Sequence, residues 1–96
     1  MRQDRQALLK DNMTAFVKDL DLQETVITMV NHGLLSRHEA SDYYSNDDRD
    51  RMMKISKLIR DLSKREDETF EGFHQVLTDT EQFGLADMLQ PGLGDG

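Results

Sequence analysis

The sequence predicts an all-α protein, and three observations carry that expectation. Apolar residues recur at helical spacing in successive segments, as in Phe70, Phe73, Val76 and Leu77. No alternating run rich in Val, Ile or Thr is bounded by an Asn-Gly or Asp-Gly turn, so strand signals are weak. The one proline, Pro91, lies near the end, and glycines are sparse before the Pro91–Gly96 tail. A chain of 96 residues, 36% hydrophobic and 32% charged, suits one small, well-solvated helical domain with a single core.

Six helices are expected. The first runs from about Asp4 to Leu20, with Leu8, Leu9, Met13, Phe16, Val17 and Leu20 facing inward. Asp21 is the natural N-cap of the second, with Glu24 three residues on and Leu22, Val26, Ile27 and Val30 as its apolar stripe. Gly33 ends that helix in a left-handed conformation. Ser36 and Glu39 form a capping box that opens a short third helix through about Tyr44.

Asn46 or Asp47 starts the fourth helix, whose inner face is Met52, Ile55, Leu58, Ile59 and Leu62. Glu66 and Asp67 bring acidic charge to the start of the fifth, where the helix dipole favours it. Either Thr78, boxed with Glu81, or Thr80 caps the sixth, which buries Leu85, Met88 and Leu89. Gly84 weakens this last helix and Pro91 stops it. The helical domain therefore spans residues 1–90, and 91–96 reads as a flexible C-terminal linker or chain end. Short connections imply mostly antiparallel neighbours, but the pattern alone fits an up-down or a Greek-key bundle equally.

Composition removes several functions. Without cysteine there is no disulfide, thiolate metal site or cysteine nucleophile. No apolar run reaches membrane-spanning length, and the N-terminus lacks a signal-peptide core, so a cytoplasmic location is the default expectation. A net charge of −7 argues against generic nucleic-acid binding and against an anionic membrane surface. His32, His38 and His74 have no partner at metal-site spacing, and the Asp47–Asp50 run lacks the glycine and final glutamate of a calcium loop. His32, at a helix end, is better placed to interact with the last carbonyls. No catalytic residue, cofactor site or metal site is expected in this chain.

Charge is segregated along the chain. Residues 1–18 carry four basic and two acidic groups, 19–48 one basic and seven acidic, 49–65 seven basic and two acidic, and 66–96 eight acidic and none basic. Arg51, Lys54 and Lys57 follow one another beside the apolar stripe of the fourth helix, and Arg5 and Lys10 extend a positive surface if the first helix lies alongside. Asp19, Asp21, Glu24, Glu39 and Asp42 mark an acidic surface on the second and third helices. Unlike faces on one molecule allow head-to-tail association into rings or filaments. The plainer reading is that charges on helix exteriors are simply solvated.

Over residues 1–89 the chain resembles a caspase recruitment domain (CARD), and within that family the prodomains of apoptotic initiator caspases. The residues that carry the likeness are Met1–Arg5 with Leu8, Leu9 and Asn12, then Gly33-Leu34-Leu35-Ser36 with Glu39. Phe70, Phe73 and Leu77 match the fifth helix, and Leu85, Ala86 and Leu89 the sixth. Arg65-Glu66 departs from the family's Arg-Gly, and Met13 stands where some relatives have arginine.

The resemblance implies a six-helix Greek-key death fold that binds another CARD. A basic face on the first and fourth helices (Arg51, Lys54 and Lys10 here) would meet an acidic face on the second and third (Asp21, Glu24 and Glu39). Its partner would be an apoptosome-type platform or adaptor, or a second copy of the domain. A platform would gather CARDs and raise the local concentration of attached caspase domains. An adaptor, a nucleotide-dependent platform subunit and a CARD-only regulator are the rival parents. On this reading Lys54→Glu abolishes recruitment and leaves helical content intact.

Overall fold

The computed structural model describes residues 1–93. Its helices are α1 (Gln3–Asp11), α2 (Met13–Asp19), α3 (Leu22–Asn31), α4 (Arg37–Ser41), α5 (Asp48–Ser63), α6 (Asp67–Asp79) and α7 (Phe83–Leu89), followed by a 3-10 turn at Gln90–Gly92. No strand occurs among the described residues.

The first expected helix is two, because Asn12 competes for its own helical acceptor. Its Nδ2 donates to the Leu8 carbonyl at 2.7 Å, and the backbone opens to φ −100°, ψ 14°. The Phe16 N–H then bonds to the Asn12 carbonyl, so α2 resumes at once. Caps elsewhere follow the side chains. The Asp21 and Asp47 carboxylates accept from the N–H groups of Glu24 and Asp50, and both halves of the Ser36–Glu39 box form. Gly33 adopts φ +77°, which lets the Leu34 N–H reach back to the Met29 carbonyl at 2.8 Å. Glu66 sits at φ −72°, ψ 165°, a backbone any L-residue adopts, so the turn into α6 has no need of glycine.

The threonine caps expected for the last helix belong to the one before it. The Thr78 hydroxyl donates to the His74 carbonyl and the Thr80 hydroxyl to Val76, both closing α6. Gln82 stands at the start of α7 instead, and its side chain reaches out of the turn. Its Nε2 donates to the Thr25 and Thr80 hydroxyls at 2.9 and 2.7 Å, and its Oε1 accepts from the Asp21 N–H at 2.8 Å. One amide thus ties α3, α6 and α7. Gln82→Ala strips the buried Thr25 hydroxyl of that donor. The expected loss is about 2 kcal/mol, read as a lower urea midpoint with an unchanged m-value.

The core is built around Phe16, Phe70 and Phe73, with the Phe16 and Phe73 ring centroids 5.8 Å apart. Leu9, Leu20, Met29, Ile55, Leu58, Ile59, Leu62, Leu77 and Leu89 complete its fully buried set of large side chains. Two residues expected inside are outside. Met52 is 51% exposed, because α5 buries nothing before Ile55 and its first turns project beyond the core. Ile27 is 40% exposed, because the buried stripe of α3 is Leu22, Thr25, Val26 and Met29, the i, i+3, i+4, i+7 set.

Packing order settles the topology. α1 and α2 lie against α5 and α7, while α6 packs on α3 and α7. The first helical segments therefore neighbour the fourth-expected and last helices, which is a Greek-key and not an up-down arrangement. The chain beyond α7 differs from a flexible linker at its start. Gly92 is buried, and its carbonyl accepts from the Arg2 and Arg5 guanidinium groups at 3.1 Å each. A Cβ there would stand 2.6 Å from Phe70 Cζ and 2.8 Å from Leu8 Cδ1, so only glycine allows the approach. Residues 94–96 of the expected linker lie outside the described residues.

Candidate functional site: charged protein-interaction surfaces

The expected basic residues do not form one patch. Arg5 is buried, its guanidinium 5.0 Å from the centre of the Phe70 ring. It donates to the Gly92 carbonyl at 3.1 Å and the Asp67 carbonyl at 2.9 Å, and its Nη1 lies 3.4 Å from Glu71 Oε2. Arg5 is thus a bolt between α1, α6 and the C-terminal turn and no part of an exposed face. Its three buried methylenes and planar fork suit that position, where one cation serves two carbonyls.

Three basic residues of α5 are also engaged within the domain. The Arg51 guanidinium donates to the Val17 and Leu20 carbonyls and so caps the C-terminus of α2. Lys54 Nζ donates to the Asp42 carbonyl at 2.8 Å, just past the end of α4. Lys57 stays exposed, with its Nζ 5.0 Å above the Tyr43 ring. Tyr43 in turn donates to Asp61 Oδ2 at 2.5 Å, and burial together with that acceptor raises its phenol well above the ordinary tyrosine range. Lys54→Glu would therefore set a carboxylate against the α4 carbonyls, and it is no clean probe of recruitment.

Lys10 lies on the other flank of α5. It is exposed and lines a groove with Arg60 and Lys64, away from Lys54 and Asp42. Arg49, Met53, Lys57, Arg60 and Lys64 form the outward ridge of α5, all exposed. Sequence reasoning passed over Arg49, Arg60 and Lys64, although their spacing opposite Ile55, Ile59 and Leu62 places them there.

On the acidic side Asp21 is a helix cap and Asp42 ends α4, while Asp19 and Glu24 are exposed and make no ion pair among the described residues. Glu39 is doubly held. Its Oε1 accepts from the Ser36 N–H at 2.9 Å, and its Oε2 meets Arg65, whose Nη1 also donates to the Leu34 carbonyl at 2.9 Å. Arg65 thereby joins the α5–α6 turn to the α3–α4 loop. His32 does not act on its own helix end but reaches across to Asp79, Nε2 to Oδ2 at 2.9 Å.

The Ser36 N–H, and then Arg65, hold the Glu39 carboxyl below its ordinary range. The Arg2 N–H, and then the Arg5 charge, do the same for Asp67. With folded values depressed, the unfolded chain binds protons first as pH falls. Their contribution is whole above about pH 4–5 and is lost as pH drops through the lowered values. Thermal melts by circular dichroism should show Tm flat between about pH 7 and 5 and falling below pH 4, with Glu39→Gln showing a shallower acid decline.

Among the described residues, no three His, Asp or Glu side chains gather as metal ligands would, and no helix is long and apolar enough to cross a membrane. Comparisons with curated proteins and with solved structures return no match. The family model described as "Caspase recruitment domain" matches residues 6–92, from α1 through the buried Gly92. By that match and by its Greek-key helical bundle, the chain belongs to the caspase recruitment domain family of non-catalytic modules that bind other CARDs.

Proposed function

We propose that this CARD recruits an initiator caspase to an oligomeric apoptotic platform in the cytoplasm, as the caspase's own prodomain, through complementary charge. The observation that carries the reading is the uneven spread of exposed charge on a CARD bundle: Arg49, Lys57 and Arg60 on α5 with Lys10 of α1, against Asp19, Asp21, Glu24 and Asp42 on or beside α2 to α4. The basic groups spread over both flanks of α5, with Lys10 on one, Arg51 and Lys54 on the other and Lys57 on the outer ridge. Lys10 and Lys57 make no hydrogen bond or ion pair among the described residues. The acidic side is Asp19, Asp21, Glu24, Glu39 and Asp42.

Complementary faces steer encounter and fix register, and their attraction is strongly screened by salt. The test is size-exclusion chromatography with light scattering, alone and with an initiator-caspase CARD, at about 0.05 M and 0.5 M salt. Association at low salt that is lost at high salt and in Lys57→Glu supports the reading. A monomer at low salt that also leaves the caspase CARD unbound overturns it.

A further inference from the structure

The geometry points to an anion site in the groove between α1 and α5, built by Lys10, Arg60 and Lys64, for a small molecule carrying several phosphate groups. The groove encloses about 370 Å³ and is lined by these three cations with Met1, Gln6 and Ser63. No carboxylate lines it, in a chain with 19 acidic and 12 basic residues.

The condition of the other cations sharpens the point. Six of the nine are engaged: Arg2, Arg5 and Arg65 are in ion pairs, Arg51 and Lys54 donate to carbonyls, and Lys57 lies over an aromatic ring. Lys18, Arg37 and Arg49 are exposed and unpaired among the described residues but stand outside the groove. Lys10, Arg60 and Lys64 make no side-chain hydrogen bond or ion pair among the described residues, and all three are exposed. Three uncommitted positive charges from two helices therefore repel one another across one concavity. A multiply charged anion relieves that repulsion, and Arg60 offers a planar fork that matches phosphate oxygens.

The volume lies in the range of small-molecule sites. A broad acidic protein face would span the ridge of α5 without filling the groove. The same phosphate cluster occurs free, as an inositol polyphosphate, and on a membrane, as a phosphoinositide headgroup. The site is separate from the recruitment reading, sharing only Lys10 with it.

Isothermal titration calorimetry with inositol hexakisphosphate at about 0.1 M salt tests the site, with vesicles of phosphatidylcholine containing a phosphoinositide as the second arm. Saturable 1:1 binding is expected, weakened at least roughly tenfold in Arg60→Gln/Lys64→Gln and unchanged in Lys18→Gln, an exposed cation outside the groove. Binding in the first arm alone identifies a free polyphosphate, and binding to vesicles alone a lipid headgroup. Failure in both arms overturns the site, as does an equal loss in Lys18→Gln, which would reduce the effect to general charge. So does a lowered Tm in the double variant with no binding by wild type, since Arg60 and Lys64 would then only neutralise the C-terminal carbonyls of α5. Caspase-CARD binding measured on the same double variant keeps the two readings apart: its survival leaves recruitment standing whatever the groove does.

Discussion

Arg5→Ala should lower Tm by about 10–20 °C, equivalent to about 3 kcal/mol in a domain of this size. The loss has three sources. The Gly92 carbonyl loses a charged donor while buried, the Asp67 carbonyl loses another, and the Phe70 ring loses the guanidinium packed over its face. The pair with Glu71 adds little, because that carboxylate is 59% exposed. Lys10→Ala on the same helix should stay within about 0.5 kcal/mol, since Lys10 is exposed and unengaged. Arg5→Lys should fall between the two, retaining charge while lacking the fork that spans both carbonyls. Equal Tm for Arg5→Ala and wild type would return Arg5 to the surface.

Gly92→Ala attacks the same clasp from the other side. The added Cβ collides with Phe70 and Leu8, so the turn must withdraw and carry its carbonyl away from Arg5. The Arg5→Ala/Gly92→Ala double variant should therefore lose less than the two single losses together. Additivity in urea melts would mean that the two residues act independently.

The sequence made the caps and the inner faces legible because both depend on near neighbours. Asp21, Ser36 with Glu39, Asp47 and Gly33 each act within a few residues of themselves, and each does what its type favours. The failures depend on distance. Arg5 reads as a surface cation until α6 and the C-terminal turn close over it, more than 60 positions away. Gln82 reads as a loop residue until Asp21 and Thr25 arrive beside it. Of the expected charged faces, helical spacing could place residues on one side of α5, but not show that α4 would engage Lys54 and α2 would engage Arg51. A side chain's partners on other helices decide whether its charge is free, and spacing carries no record of them. The signal that was present and unused is the rest of the outward ridge of α5, where Arg49, Arg60 and Lys64 stay in solvent beside Lys57.

Residues that hold no hydrogen bond or ion pair within the domain are the ones that can test charge-driven recruitment, and they predict a large effect. A Lys10→Glu/Lys57→Glu variant reverses two basic groups that hold no cap or hydrogen bond, and gives up only the packing of Lys57 over the Tyr43 ring. An Asp19→Lys/Glu24→Lys variant does the same to the acidic side while the Asp21 cap of α3 stays in place. Lysine at the last position of α2 suits its C-terminal carbonyls, and Glu24→Lys in the first turn of α3 costs only about 0.5 kcal/mol. Each variant should keep its helical content and lose self-association or caspase-CARD binding by roughly 10- to 100-fold, about 1–3 kcal/mol of unlike charge made like. Mixing the two supplies the decisive outcome. In a head-to-tail contact the basic face of one copy meets the acidic face of the next, so each variant retains one competent face. The mixture should regain association at low salt and extend beyond a dimer by light scattering, because the two intact faces meet and the two reversed faces are themselves opposite in charge. If the faces were merely solvated, both variants and their mixture would match wild type at every salt concentration. If the contact were isologous, the same mixture would close as a 1:1 dimer and go no further.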